Sequence, residues 1–127
     1  MPHWEILDYA GAGKPDAPSG TARELAERLG EVAKSDLGVA IEDMHGPRET
    51  RGAEIGGARV HSLRLPSYVL SCEAIFGMTG ERLTLRHDAG DSAEPYVAGT
   101  LLAARKVGGV TGLVRGLDRI LFRGEAA

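Results

Sequence analysis

Lys14-Pro15-Asp16-Ala17-Pro18-Ser19-Gly20-Thr21-Ala22 joins an alternating run, Trp4-Glu5-Ile6-Leu7-Asp8-Tyr9, to a segment in which Ala22, Leu25, Ala26, Leu29, Val32 and Ala33 recur at helical spacing. Alternation of bulky and acidic residues predicts a short strand. The second periodicity, with Arg23, Glu24, Glu27, Arg28 and Glu31 on the other side, predicts an amphipathic helix from Thr21 to about Ala33 that lays its apolar stripe on a sheet. Between them Ala10-Gly11-Ala12-Gly13 is a flexible connection. It is not a phosphate loop: Pro15 stands where that motif needs Ser or Thr, and no Gly lies five residues before Gly13.

The quoted stretch also concentrates the chemistry. The first N–H groups of a helix have no intrahelical partner and sit at the positive end of the macrodipole, so Ser19, Gly20 and Thr21 form a candidate cradle for a carboxylate or phosphate. Gly20 allows close approach of a ligand to the main chain, and Lys14 adds a full charge and a transferable proton. A plainer reading uses the same residues. Thr21-Ala22-Arg23-Glu24 matches a capping box, in which the hydroxyl and the carboxylate satisfy orphan donors and nothing else is bound.

Downstream, Lys34 to Thr50 reads as a mostly irregular connection, with a candidate short strand at Leu37–Ile41, and Arg51–Gly57 as a turn-rich approach to a strand. Ala58–Leu65 alternates, with Val60, Ser62 and Arg64 on one face and His61, Leu63 and Leu65 on the other. Runs at Tyr68–Phe76 and Glu81–His87 follow after Pro66-Ser67 and Gly77-Met78-Thr79-Gly80. Short turns between consecutive runs predict antiparallel neighbours or a meander. Ser92, Glu94 and Pro95 start a helix that reaches about Val107 and stops at Gly108-Gly109. Thr111 is placed to cap a last short helix with a stripe of Leu113, Val114, Leu117, Ile120 and Leu121, and Arg123–Ala127 are expected to fray. The fold class expected is α+β: a mostly antiparallel or mixed sheet with helices on one face, leaving an open sheet face available for oligomerisation.

At 127 residues the chain fits a single domain, residues 1–127. Hydrophobic residues at 43% and charged residues at 26% disfavour disorder, and a net charge of −3 without a Lys/Arg block gives no case for nucleic acid. No apolar window approaches the ~18 residues of a membrane helix, and Met1-Pro2-His3-Trp4-Glu5 lacks a signal-peptide profile, so no membrane partner is expected and the cytoplasm is the default. A lone Cys72 suits that reducing compartment.

Lys-x-Asp-Ala-Pro-Ser-Gly-Thr-Ala, residues 14–22, resembles the signature of the C-terminal domain of the dihydrodipicolinate reductase (4-hydroxy-tetrahydrodipicolinate reductase) family of diaminopimelate and lysine synthesis. Arg51 to Arg64, ending His-Ser-Leu-Arg, Gly80-Glu-Arg-Leu-Thr-Leu-Arg-His87 and Tyr96-Val-Ala-Gly-Thr100 are similar to the family's later runs, in the same order. The resemblance implies a substrate-binding and tetramerisation domain that takes a small cyclic dicarboxylate. It implies Lys14 as proton donor to the atom left anionic by hydride addition, and Ser19-Gly20-Thr21 as the carboxylate cradle. NADH or NADPH would be held by a Rossmann domain that is absent from this chain, which has no Gly-x-Gly-x-x-Gly after a strand, so a separate or upstream Rossmann domain is a possible partner.

One departure bears on activity. The family's His-His run, the candidate acid/base, is replaced by Ala10-Gly11, and a lost proton relay typically costs ~10²- to 10⁴-fold in rate. By resemblance the chain belongs to an NAD(P)H-dependent oxidoreductase, yet by itself it lacks both the cofactor domain and that histidine. The alternatives are a non-catalytic small-anion-binding or assembly module and a reductase redirected to another substrate. His61 and His87 are expected to make structural hydrogen bonds, with no metal-ligand spacing, and His3 and His45 are isolated. Cys72 is expected in the core and Arg59, Arg64, Arg82 and Arg86 as solvated or interface charges.

Overall fold

The alternating run near the N-terminus becomes the centre of a five-stranded sheet. In the computed structural model, which describes residues 1–122, β1 (His3–Ala10) lies between β3 (Ala58–Arg64) and β4 (Leu70–Met78), with β2 (Ala53–Ile55) and β5 (Glu81–Ala89) at the edges; the order is β2-β3-β1-β4-β5. The β1–β3 pairing is parallel and the other pairings are antiparallel, so the sheet is mixed. The α+β class is as expected.

A meander is not. The chain leaves β3 and passes the end of β1 before returning as β4, so two runs adjacent in sequence are separated by β1. The connection is anchored where Leu65 N–H donates to the Ala10 carbonyl at 3.1 Å, and it turns at Ser67, whose φ is 74°. Burial explains the insertion: Trp4 and Ile6 are nearly solvent-free, and the strand that carries them is covered by hydrogen bonding on both edges.

Helix α1 (Gly20–Val32) lies on the face formed by Trp4, Ile6, Ala58 and Val60, and contributes Ala22 and Ala26 to that core, with Leu25 and Leu29 partly buried at its border. Val32, expected in the stripe, is 85% exposed at the last position of the helix. Small residues set the approach. A Cβ on Gly30 would stand 1.7 Å from the Gly56 carbonyl oxygen, so α1 and the β2–β3 turn meet backbone to backbone. The strand expected at Leu37–Ile41 does not form; a 3₁₀ turn occupies Ile41–Asp43, another Arg48–Arg51, and Asp36 turns the chain by accepting the Gly38 N–H.

Two compact units are present, Met1–Gly90 and the segment from Asp91 onward. The second contains α2 (Glu94–Lys106), whose first free N–H is taken by the Ser92 hydroxyl at 3.1 Å, then a 3₁₀ turn at Val107–Gly109. A helix across Leu113–Leu121 is not seen. Only α3 (Asp118–Leu121) is helical, and Gly112 and Gly116 at positive φ break the preceding periodic stretch. The fraying expected for Arg123–Ala127 lies outside the described residues. Among the described residues no helix is long and apolar enough to cross a membrane.

Candidate functional site

The site is built where β1 hands over to α1. Ser19, not Thr21, caps the helix: its hydroxyl oxygen accepts the Ala22 N–H at 3.3 Å and its carbonyl accepts the Arg23 N–H at 3.0 Å. The capping-box reading of Thr21-Ala22-Arg23-Glu24 is therefore corrected by two residues. The cause is Asp8, whose Oδ2 accepts the Ser19 N–H at 2.9 Å and pins that residue outside the helix. Gly20 and Thr21 consequently occupy the first helical turn, exposed, with N–H groups that have no partner among the described residues.

Lys14 stands in the preceding turn, where its N–H donates to the Gly11 carbonyl at 3.0 Å and its ammonium pairs with Asp16 at 2.8 Å, both side chains being substantially solvated. The hydrogen bond from Lys14 holds the Asp16 carboxyl below its ordinary value. Ser19 faces inward, 5% exposed, so the outward donors of the expected cradle are the amides of Gly20 and Thr21 and the hydroxyl of Thr21.

Beneath them lies a group that the spacing of motifs did not reveal. Asp8 is 1% exposed and its Oδ2 also accepts from Arg64 at 2.8 Å and from the Ser62 hydroxyl at 3.1 Å. Burial pushes the Asp8 carboxyl up, but the hydrogen bonds from Arg64, Ser19 and Ser62 outweigh it and hold the group below the usual aspartate value. Arg64 is thus not the solvated charge expected; its side chain is 15% exposed and also donates to the Asp16 carbonyl. A signal existed. Asp8 is in phase with Trp4, Ile6 and Ala10 on the buried face, Arg64 is in phase with Val60, and a buried carboxylate requires a partner.

Ala10 is fully buried, and a Cβ on Gly11 would come within 3.2 Å of the Tyr68 carbonyl oxygen. Neither residue carries a side chain that can donate or accept a proton. His61 makes the structural contact expected of it, Nε2 to Glu5 at 2.7 Å, with Arg51 on the other Glu5 oxygen, and His3 Nδ1 lies 2.8 Å from the Asp36 carbonyl. The His87 ring makes no hydrogen bond among the described residues. It stands opposite Cys72 across the β4–β5 ladder, and both line an open groove of about 410 Å³ beside Thr21, Leu25 and Leu29. Cys72 packs against the core, and burial, then the charge of Asp8, push its thiol up, away from nucleophilic use. Arg86 is tied to Asp88 and Glu73 and lies over the Tyr9 ring. Among the described residues no group of three potential ligands could hold a metal ion.

Among the described residues, a parallel strand–helix–strand unit of the kind that holds a nicotinamide dinucleotide is formed by β1, α1 and β3. Residues 14–19, with prolines at 15 and 18, separate Gly13 from the helix that begins at Gly20, and the buried Asp8 carboxylate lies behind. A dinucleotide turn needs its glycines to run directly into the helix, with a pyrophosphate on that helix end. The residues present do not fit the group.

The family model described as dihydrodipicolinate reductase, C-terminus, matches residues 1–121. The chain belongs to this family. Among its relatives are 4-hydroxy-tetrahydrodipicolinate reductases of Synechococcus elongatus, 48% identical over 94% of this chain and 44% of the relative, and of Lactococcus lactis subsp. lactis, 42% identical over 95% and 46%. A solved structure titled dipicolinate-bound dihydrodipicolinate reductase, from Paenisporosarcina sp. TG-14, superposes with a TM-score of 0.79 at 33% identity, covering 94% of this chain and 44% of that one. The chain thus spans less than half the length of these family members.

Proposed function

We propose that this chain is the substrate-binding and oligomerising part of a reductase of the 4-hydroxy-tetrahydrodipicolinate type. The observation that carries the reading is the pair of amides at the exposed residues Gly20 and Thr21, which have no partner among the described residues and follow a Ser19 fixed by Asp8, with Lys14 paired to Asp16 in the turn that leads to them, in a chain of this family. Oriented amides at a helix start hold one carboxylate of a small cyclic dicarboxylate. Lys14 leaves Asp16 for the substrate and supplies the proton that completes reduction of the imine. NADH or NADPH is held by protein outside this chain, and the cytoplasm is the compartment proposed.

The sheet face opposite α1 is proposed as the surface that assembles a tetramer; it carries the Glu5–Arg51–His61 and Glu73–Arg86 ion pairs and no helix of its own unit. Light scattering that shows a monomer contradicts this part.

Calorimetric titration with dipicolinate tests the site. Binding that weakens in both Lys14→Ala and Thr21→Val is expected, and wild-type affinity in either variant refutes the assignment. Binding without turnover is expected of the chain by itself, so steady oxidation of NADPH in the presence of substrate and no other protein contradicts the reading. A second reading, an anion-binding module without catalysis, is favoured by one observation: Ala10 and Gly11 carry no titratable side chain where the resemblance implies a His-His run.

A further inference from the structure

We infer that Arg64 is a positioning residue for the anion site, acting by cancelling the Asp8 charge and fixing the turn that presents Gly20 and Thr21. The inference rests on the functional reading above.

Asp8 places a buried carboxylate directly behind the start of α1, where its Oδ2 accepts the Ser19 N–H at 2.9 Å. An anion at that position stabilises the helix, but it also opposes the field that attracts a second anion to the neighbouring amides. Left uncompensated, Asp8 would repel the ligand that the cradle is shaped to take. Lys14 does not compensate it, because its ammonium is paired with the Asp16 side chain in the same turn.

Arg64 answers both needs with one nitrogen. Its Nη2 donates to Asp8 Oδ2 at 2.8 Å and to the Asp16 carbonyl at 2.6 Å. The Asp16–Ser19 turn is thereby held at both ends, at Asp16 by the guanidinium and at Ser19 by the carboxylate the guanidinium neutralises. Arg64 Nη1 donates to the Leu63 carbonyl at 2.9 Å, and its buried Nε has no partner among the described residues. Placement at that cost is explained by what the other end of the guanidinium does to the turn.

The test compares Arg64→Met, Arg64→Lys and the double variant Asp8→Asn/Arg64→Met, with dipicolinate affinity by calorimetry, thermal midpoint and hydrogen exchange of the Ser19 amide as readouts. Arg64→Met is expected to weaken dipicolinate at least about tenfold, since it leaves like charges facing each other. Arg64→Lys keeps the charge and loses one grip, so it should fall between. The double variant removes the carboxylate charge while the introduced amide oxygen can still accept the Ser19 N–H, and is expected to recover to within about threefold of wild type. A role in stability alone would not produce that order of affinities among variants that are folded at the temperature of the titration. Should Arg64→Met fail to fold, the lysine and double variants decide the matter. Equal affinity in wild type and Arg64→Lys, or a double variant as weak as a folded Arg64→Met, overturns the inference and leaves the binding site standing. Absence of dipicolinate binding by the wild type overturns the functional reading and, with it, the role assigned to Arg64.

Discussion

Lys14 and Asp16, separated by one proline, meet at 2.8 Å, so the ammonium proposed to serve a substrate is occupied in the unliganded chain. Both partners are partly solvated, so water screens the pair and it is readily exchanged for another anion. A dicarboxylate must displace Asp16 to reach Lys14. Asp16→Asn should therefore strengthen dipicolinate binding by about two- to fivefold, and calorimetry showing weaker binding would mean that Lys14 does not move to the ligand. The backbone carbonyl that Arg64 uses is untouched by this substitution.

Two glycines of α1 separate packing from binding. Gly30→Ala gains helix propensity of about 1 kcal/mol but drives a methyl into the Gly56 carbonyl, and overpacking of that kind costs about 1–3 kcal/mol, with a backbone obstacle at the upper end. A lower thermal midpoint is expected, and an unchanged one would show that the β2–β3 turn yields freely. Gly20→Ala meets no atom within 4 Å. It should leave stability within about 0.5 kcal/mol while hindering a ligand that approaches the main chain, so dipicolinate affinity falls without a change in midpoint.

Cys72 should react slowly. Its thiol is pushed above the ordinary value of 9.0 by burial and by the charge of Asp8, so the thiolate is a small minority at neutral pH. Alkylation by iodoacetamide is expected to accelerate only above about pH 9. A midpoint near 7 would contradict the environment described for this residue.

Acid should destabilise the fold through Asp8 in a defined direction. Its folded value is depressed below the unfolded 3.8, so its contribution is fully present above that value and is lost as pH falls through the folded one. Asp88, brought down to about 2 by Arg86, has the same sign. Denaturant midpoints should therefore drop as pH goes from about 4 toward 2. Asp8→Asn should begin lower at pH 7, by about 1.5–3 kcal/mol, and slope less over that interval. A steeper acid slope in the variant would contradict the assignment.

The local parts of this architecture were legible because their causes are local. Alternation in Trp4–Tyr9 and the Ala22–Leu29 stripe are properties of neighbouring residues, and both became the elements they predict. The insertion of β1 between β3 and β4 was not legible, since pairing partners are distant in sequence and short turns favour a meander equally well. The shift of the cap from Thr21 to Ser19 had the same origin: two hydroxyl residues fit the pattern, and a carboxylate eleven positions away chose between them. The burial of Arg64 is hidden for a related reason. A charged residue on a strand is normally solvated, and only the buried partner on β1 makes this one an exception.

The most direct test of the central claim is an amide-resolved NMR titration of the chain with dipicolinate. The Gly20 and Thr21 N–H resonances are predicted to move first and furthest, together with the Lys14 side chain. Saturable shifts confined to other parts of the molecule, or no shifts at millimolar ligand, would contradict it.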